Sequence, residues 1–76
     1  MDVRKRLGTN VRRLREAAGY SQEAFGDAAN IHRTYVSDVE RGRRNPTIEI
    51  VEKFAVALKV RTGSLLDDPA DLDGKA

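Results

Sequence analysis

The sequence predicts a single all-α domain made of five helices. Apolar residues recur every three or four positions through most of the chain, which is the spacing of one helix face. Aromatic residues make up only 5% of the 76 residues and tryptophan is absent, which argues against a β-sandwich built on large rings. A chain of this length is enough for one small hydrophobic core. We therefore expect a compact helical domain over residues 1–66.

The first helix is predicted over residues 2–18. Gly19 follows it as the residue that commonly ends a helix in the left-handed conformation. Six basic residues lie between the apolar positions, so the helix has a cationic outer side. The apolar stripe consists of Val3, Leu7, Val11, Leu14 and Ala18.

Two short helices joined by a tight turn follow. Ser21 is the predicted N-cap of helix 2, which runs to about Ala29. Asn30 is the predicted turn residue, because asparagine tolerates positive φ better than other non-glycine residues. Helix 3 is predicted over residues 33–41, ending before Gly42. This order is the helix-turn-helix arrangement, with helices 2 and 3 as its two members.

Helix 4 has the strongest apolar pattern. Thr47 is its predicted N-cap, and its inward stripe consists of Ile48, Val51, Phe54, Ala55 and Leu58. Val60, Leu65 and Leu66 indicate a short fifth helix after Thr62. Residues 67–76, DDPADLDGKA, have the composition of an acidic, flexible tail. A calcium loop at Asp71–Gly74 is disfavoured because the closing glutamate of such loops is missing.

The charge is unevenly distributed along the chain. The net charge is +2, yet residues 1–44 hold ten basic against six acidic residues, and residues 45–76 hold four against six. This gradient indicates a cationic surface that faces a polyanion. With no cysteine and one histidine, we expect neither a metal site nor a cofactor. No apolar run reaches the length of a membrane span, so a cytoplasmic location without membrane contact is expected.

Several segments at fixed offsets resemble the phage repressor/Cro family of bacterial helix-turn-helix proteins. They are SQE at 21–23, RTYVSDVERGRRNP at 33–46 and FAVALKV at 54–60. The resemblance covers residues 5–66, and the length and the Arg-Thr-Tyr segment are similar to the small controller proteins of restriction-modification systems. Gly26 stands where the family usually has alanine, and Asn30 where it usually has glycine. The resemblance implies a repressor-like fold and a bacterial protein that acts at the nucleoid.

The DNA-contacting residues are predicted from groove dimensions and from the resemblance. A major groove about 12 Å wide admits one helix, so side chains near the start of helix 3 reach base edges. The predicted base contacts are Arg33, Thr34, Ser37 and Asp38, the last accepting from cytosine or repelling a wrong site. Tyr35 is expected to reach the DNA backbone or to pack at the helix edge. The resemblance implies phosphate contacts by Gln22, Arg43, Arg44 and Asn45.

Two further sets of residues have predicted roles. The resemblance implies a structural ion pair between Arg15 and Glu40, which holds helix 1 on the end of helix 3. One domain of this size buries little surface on DNA, so we expect a homodimer on a pseudo-palindromic operator. The predicted dimer surface lies in the C-terminal part, around Val56, Val60, Leu65 and Leu66.

The sequence thus favours a transcriptional regulator that acts by occupying double-stranded DNA. The alternative is an antitoxin-like or adaptor module whose main partner is a protein, and an exposed apolar patch beyond the dimer surface would favour it. An enzyme is disfavoured because the sequence has no evident nucleophile-base pair or metal cluster. The expected partners are double-stranded DNA and a second copy of the chain, with the transcription machinery or another protein as further candidates.

Overall fold

The computed structural model describes residues 2–69, and all regular structure in that range is helical. Four α-helices and one short 3₁₀ helix follow one another in the chain. Their bounds are Val3–Ala17 for α1, Gln22–Ala29 for α2, Arg33–Glu40 for α3, Ile48–Leu58 for α4 and Thr62–Leu66 for the 3₁₀ helix. The prediction of an all-helical protein is confirmed, and none of these helices is long and apolar enough to cross a membrane.

The prediction of a fifth α-helix is wrong, because Thr62–Leu66 forms a 3₁₀ helix. Gly63 and Ser64 have low helix propensity, and the segment of five residues is too short for a stable α-helix. Its start at Arg61 also lacks a side-chain cap. Asn10 of α1 holds the segment instead, since its buried Nδ2 donates to the carbonyls of Leu65 at 2.9 Å and Asp67 at 2.8 Å.

Each α-helix begins with a side chain that accepts a hydrogen bond from a backbone amide of the first turn. Ser21 and Thr47 cap α2 and α4 as predicted. At α3 the cap is the imidazole of His32, whose Nδ1 accepts from the amide of Thr34 at 3.1 Å. Asp2 caps α1, and the amide of Lys5 that donates to its carboxylate lowers the pKa of Asp2.

Each α-helix is terminated by a residue in the left-handed region. These residues are Gly19, Asn30, Gly42 and Lys59, with φ between 57° and 82°. After each one, the next amide bonds back to a carbonyl five residues earlier, as in a Schellman motif. The prediction that Asn30 adopts positive φ is confirmed, and this conformation sets the turn between α2 and α3.

The core lies where the four helices and the 3₁₀ helix meet. Phe25 of α2 and Phe54 of α4 stack at its centre, with ring centroids 5.5 Å apart. Val11 of α1, Val36 of α3 and Leu65 of the 3₁₀ helix are fully buried around them. Each of these five helical elements therefore contributes at least one side chain to the core. Most of the predicted tail, residues 70–76, including the Asp71–Gly74 segment, lies outside the described residues.

At two glycines, a neighbouring backbone segment lies too close for any side chain larger than hydrogen. A Cβ added to Gly8 would lie 2.4 Å from the carbonyl oxygen of Val39, and one added to Gly26 would lie 2.4 Å from that of Ile31. The family that the sequence resembles usually has alanine at the position of Gly26, but in this chain even the methyl group of alanine would clash. The glycine lets the turn after α2 pass directly over the helix.

Candidate nucleic-acid interface

The helix-turn-helix unit presents one face of α3 to solvent. Phe25 and Ala29 of α2 pack with Val36 and Val39 of α3 in the core, so the opposite side of α3 points outward. The turn between the helices is fixed by the amide of Ile31, which donates to the carbonyl of Gly26 at 2.8 Å. The outward face of α3 is thus held by the core and by the turn.

The four predicted base-contacting residues lie on α3, two of them in its first turn. Arg33 and Thr34 are exposed, whereas Ser37 and Asp38 are half-buried one turn later. Nη1 of Arg33 lies 3.5 Å from the carboxylate of Glu23 on α2, and both side chains are largely exposed. An exposed pair of this kind contributes little to stability, so the Arg33 guanidinium is only weakly held by Glu23.

Arg44 folds back from the loop after α3 onto the same face. Its guanidinium carbon lies 4.9 Å from the centroid of the Tyr35 ring, and its Nε lies 3.3 Å from Oδ2 of Asp38. Tyr35 is half-buried, in agreement with a packing position at the edge of α3. Arg43 and Asn45 lie exposed on the same loop.

Gln22 differs from the other predicted phosphate contacts because its side chain is directed inward. Its Nε2 donates to Oε1 of Glu40 at 3.1 Å. This hydrogen bond directs the side chain toward Glu40. In the first turn of α2, the amide of Ala24 donates to the Ser21 hydroxyl, and the two amides before it have no acceptor within the helix. Helix N-termini commonly bind phosphate through such amides.

Arg15 and Glu40 form a buried pair beneath this surface. Nε and Nη2 of Arg15 donate to the two carboxylate oxygens at 2.6 and 3.0 Å, and Nη1 donates to the carbonyl of Tyr20 at 2.8 Å. The two side chains are only 10% and 4% exposed. The hydrogen bonds to Glu40 raise the pKa of Arg15. Together with Gln22, the pair joins α1, α2 and α3.

The predicted dimer residues are divided between core and surface. Leu65 is fully buried in its own chain, where its side chain belongs to the core. Val60 is half-buried against the core. Val56 and Leu66 are exposed, Val56 at 71%.

Ile48 is the most exposed large apolar side chain among residues 2–69, and the sequence pattern does not predict its exposure. The apolar spacing places Ile48 on the inward stripe of α4, but it is 81% exposed because the first residue of the helix projects past the edge of the core. It lines an apolar groove of about 170 Å³ together with Val3, Pro46 and Leu66. Its position directly after the Thr47 cap is the only signal of this exposure in the sequence.

Comparison with known proteins identifies the family. Residues 11–65 match the family described as Helix-turn-helix, HTH_3, and this match covers most of the chain. The chain belongs to the helix-turn-helix family. Its match spans the whole unit described above, from the middle of α1 to the 3₁₀ helix.

Three relatives illustrate the range of this helix-turn-helix family. Control protein C.BamHI of Bacillus amyloliquefaciens is 40% identical over 67 residues, which cover 87% of this chain and 83% of the relative. The hypothetical transcription factor NHTF from Neisseria has a crystal structure that superposes with a TM-score of 0.93 at 39% identity, covering 99% of this chain and 86% of that one. SinR, the master regulator for biofilm formation, was solved in complex with DNA and superposes with a TM-score of 0.77 at 32% identity, covering 80% and 98%.

The similarity to restriction-modification controllers, predicted from the sequence, is confirmed by these matches. No group of three or more His, Asp or Glu side chains among residues 2–69 is placed to hold a metal ion. The exposed arginines and hydroxyls of this surface, and the backbone amides at the start of α2, are groups that form hydrogen bonds and neutralise negative charge.

Proposed function

We propose that this helix-turn-helix protein is a DNA-binding transcriptional regulator that occupies a pseudo-palindromic operator as a homodimer. The observation that supports this most strongly is the outward face of α3, where Arg33 and Thr34 are exposed at the start of the second helix of the motif. In this family fold, that helix is the one whose N-terminal residues enter the major groove. The proposed site of action is the bacterial nucleoid.

The proposed contacts fall into two groups. Arg33 donates two hydrogen bonds to guanine, while Thr34 and Ser37 supply hydroxyl contacts to neighbouring bases. Arg43, Arg44 and Asn45 of the exposed loop and the amides at the start of α2 neutralise or bind phosphates, and these contacts set the register of the protein on the duplex. Tyr35 extends the phosphate-contacting edge.

The proposed dimer surface is the apolar groove around Ile48. Ile48 is 81% exposed, and Leu66 and Val3 continue the apolar surface beside it, so a second copy that covers the groove gains the free energy of burying these side chains. The groove adjoins the phosphate-contacting loop through Pro46. In a dimer that binds two half-sites on one face of DNA, the two copies of α3 contact sites about 34 to 36 Å apart.

Replacing Ile48 by asparagine is expected to weaken the dimer without changing the net charge. Burial of one isoleucine contributes about 1.5 to 3 kcal/mol, and each subunit of a symmetric dimer loses it. Sedimentation equilibrium at micromolar concentration, with and without operator DNA, measures the dissociation constant directly. A wild-type protein that remains monomeric even on DNA would contradict the proposed dimer.

The matched variant Val56→Asn makes the same change at the far end of α4. Val56 lines a separate cleft with Ala28 and Lys53, and its exposure is the observation that favours the alternative function as a protein-interaction module. If the dimer surface includes the sequence-predicted residue Val56 as well as the groove around Ile48, both variants weaken the dimer. If only Ile48→Asn does so, the Val56 cleft remains available to a different protein.

A further inference from the structure

Arg44, in the loop after α3, is paired with an acidic residue of that helix. Its Nε lies 3.3 Å from Oδ2 of Asp38, and its guanidinium stacks 4.9 Å from the centre of the Tyr35 ring. Tyr35 and Asp38 are three residues apart and therefore share one side of α3. Together the ring and the carboxylate bind the Arg44 guanidinium on the outward face of the helix.

The conformation of the loop brings Arg44 next to Tyr35 and Asp38. Gly42 adopts φ 73°, and the amide of Arg43 donates to the carbonyl of Asp38 at 2.9 Å. This Schellman motif reverses the chain immediately after α3 and returns it toward the last turn of the helix. The position of Arg44 thus follows from backbone geometry as well as from its charge.

Asp38 is locally unfavourable for the helix that carries it. It lies in the last turn of α3, where the carbonyl ends of the helix disfavour a negative charge, and no basic residue of that turn compensates it. Glu40, the other acid of the turn, is neutralised by Arg15. Arg44, from the loop after α3, is the cation that lies beside Asp38 and compensates its charge.

We propose that Asp38 is an internal competitor of DNA for Arg44, and that it does not read a base. The inference rests on the proposed function. The carboxylate holds the guanidinium in the place of a backbone phosphate, and DNA binding requires Arg44 to leave Asp38 for phosphate. Asp38 thereby lowers the affinity for every duplex by the same factor and makes the binding less dependent on salt.

The test compares Asp38→Asn with a control that adds the same charge. Asp27→Asn also raises the net charge by one, and Asp27 is exposed on α2 with no ion pair to any residue in the range 2–69. Affinity is measured by fluorescence titration against an operator duplex and a random duplex over a series of salt concentrations. The same measurements are repeated in the Arg44→Ala background, and circular dichroism verifies that each variant is folded.

We expect Asp38→Asn to bind both duplexes about two- to fivefold more tightly than Asp27→Asn does, which is the range of an exposed ion pair. The slope of log K against log salt should become steeper, because salt screens the Arg44–Asp38 pair of the wild type and so relieves part of the competition at high salt. In the Arg44→Ala background the two substitutions should have the same effect. Asp38→Ser should reproduce the gain.

Three results overturn the inference, and they are distinguishable from one another. If the wild type binds DNA but Asp38→Asn and Asp27→Asn behave alike, Asp38 does not compete for Arg44. If Asp38→Asn instead changes the preferred base at one position, Asp38 contacts that base. If the wild type binds no duplex at all, the proposed function is wrong and the inference falls with it.

Discussion

Replacing Arg15 by alanine is expected to destabilise the fold by about 3 to 5 kcal/mol, a large part of the stability of a small domain. The substitution leaves the carboxylate of Glu40 buried without its cation, with only the amide of Gln22 beside it. It also removes the hydrogen bond to the carbonyl of Tyr20 that fixes the turn after α1. Urea or thermal unfolding followed by circular dichroism measures the loss.

Two further variants test whether the loss of stability comes from breaking a buried ion pair and not merely from removing an arginine. Arg12→Ala removes an exposed arginine that pairs with Glu16 at 3.5 Å on the same helix, and it should cost less than about 1 kcal/mol. The double variant Arg15→Met with Glu40→Leu removes both charges and should recover most of the stability. A small effect of Arg15→Ala, similar to that of Arg12→Ala, would mean that the buried pair does not hold α1 to α3.

Replacing Arg33 by alanine is expected to weaken operator binding by about 1 to 3 kcal/mol and to abolish the preference at one base pair of each half-site. The exposed position of Arg33 in the first turn of α3 is the physical reason, since its removal leaves the core and the caps intact. Titration of the variant against operators with single base-pair changes measures both effects.

Arg43→Ala is the matched control for this experiment, because it removes an equal charge from the loop. It should weaken operator and random duplexes alike and reduce the salt slope by about one, with every base preference retained. If Arg33→Ala gave this same uniform loss, Arg33 would be a phosphate contact and base readout by the first turn of α3 would be wrong.

The helix boundaries and caps are predictable because they depend on neighbouring residues. Ser21 and Thr47 cap their helices through their own side chains, and Asn30 adopts positive φ because its local chemistry allows it. The error at the fifth helix is also local in origin. Apolar spacing at Val60, Leu65 and Leu66 indicates the correct inward residues, but it does not outweigh the low helix propensity of Gly63 and Ser64.

Features that depend on distant residues cannot be predicted from spacing. Leu65 lies in the core and Ile48 at the surface, although both belong to similar apolar patterns, because only the packing of α1, α4 and the 3₁₀ helix decides which is covered. The bond of Asn10 to the 3₁₀ helix spans 55 residues of sequence. The contacts of Arg44 with Tyr35 and Asp38 likewise require the reversal of the chain at Gly42.

Selection of bound duplexes from a random pool tests operator recognition by a dimer, because the protein itself then selects the sequence. We expect enrichment of an inverted repeat whose two half-sites are centred about one helical turn apart, each with a strongly preferred G·C pair that the Arg33→Ala protein no longer selects. Recovery of sequences without a shared motif, or of a single unrepeated site bound by one subunit, would show that the protein is not a dimeric operator-binding regulator.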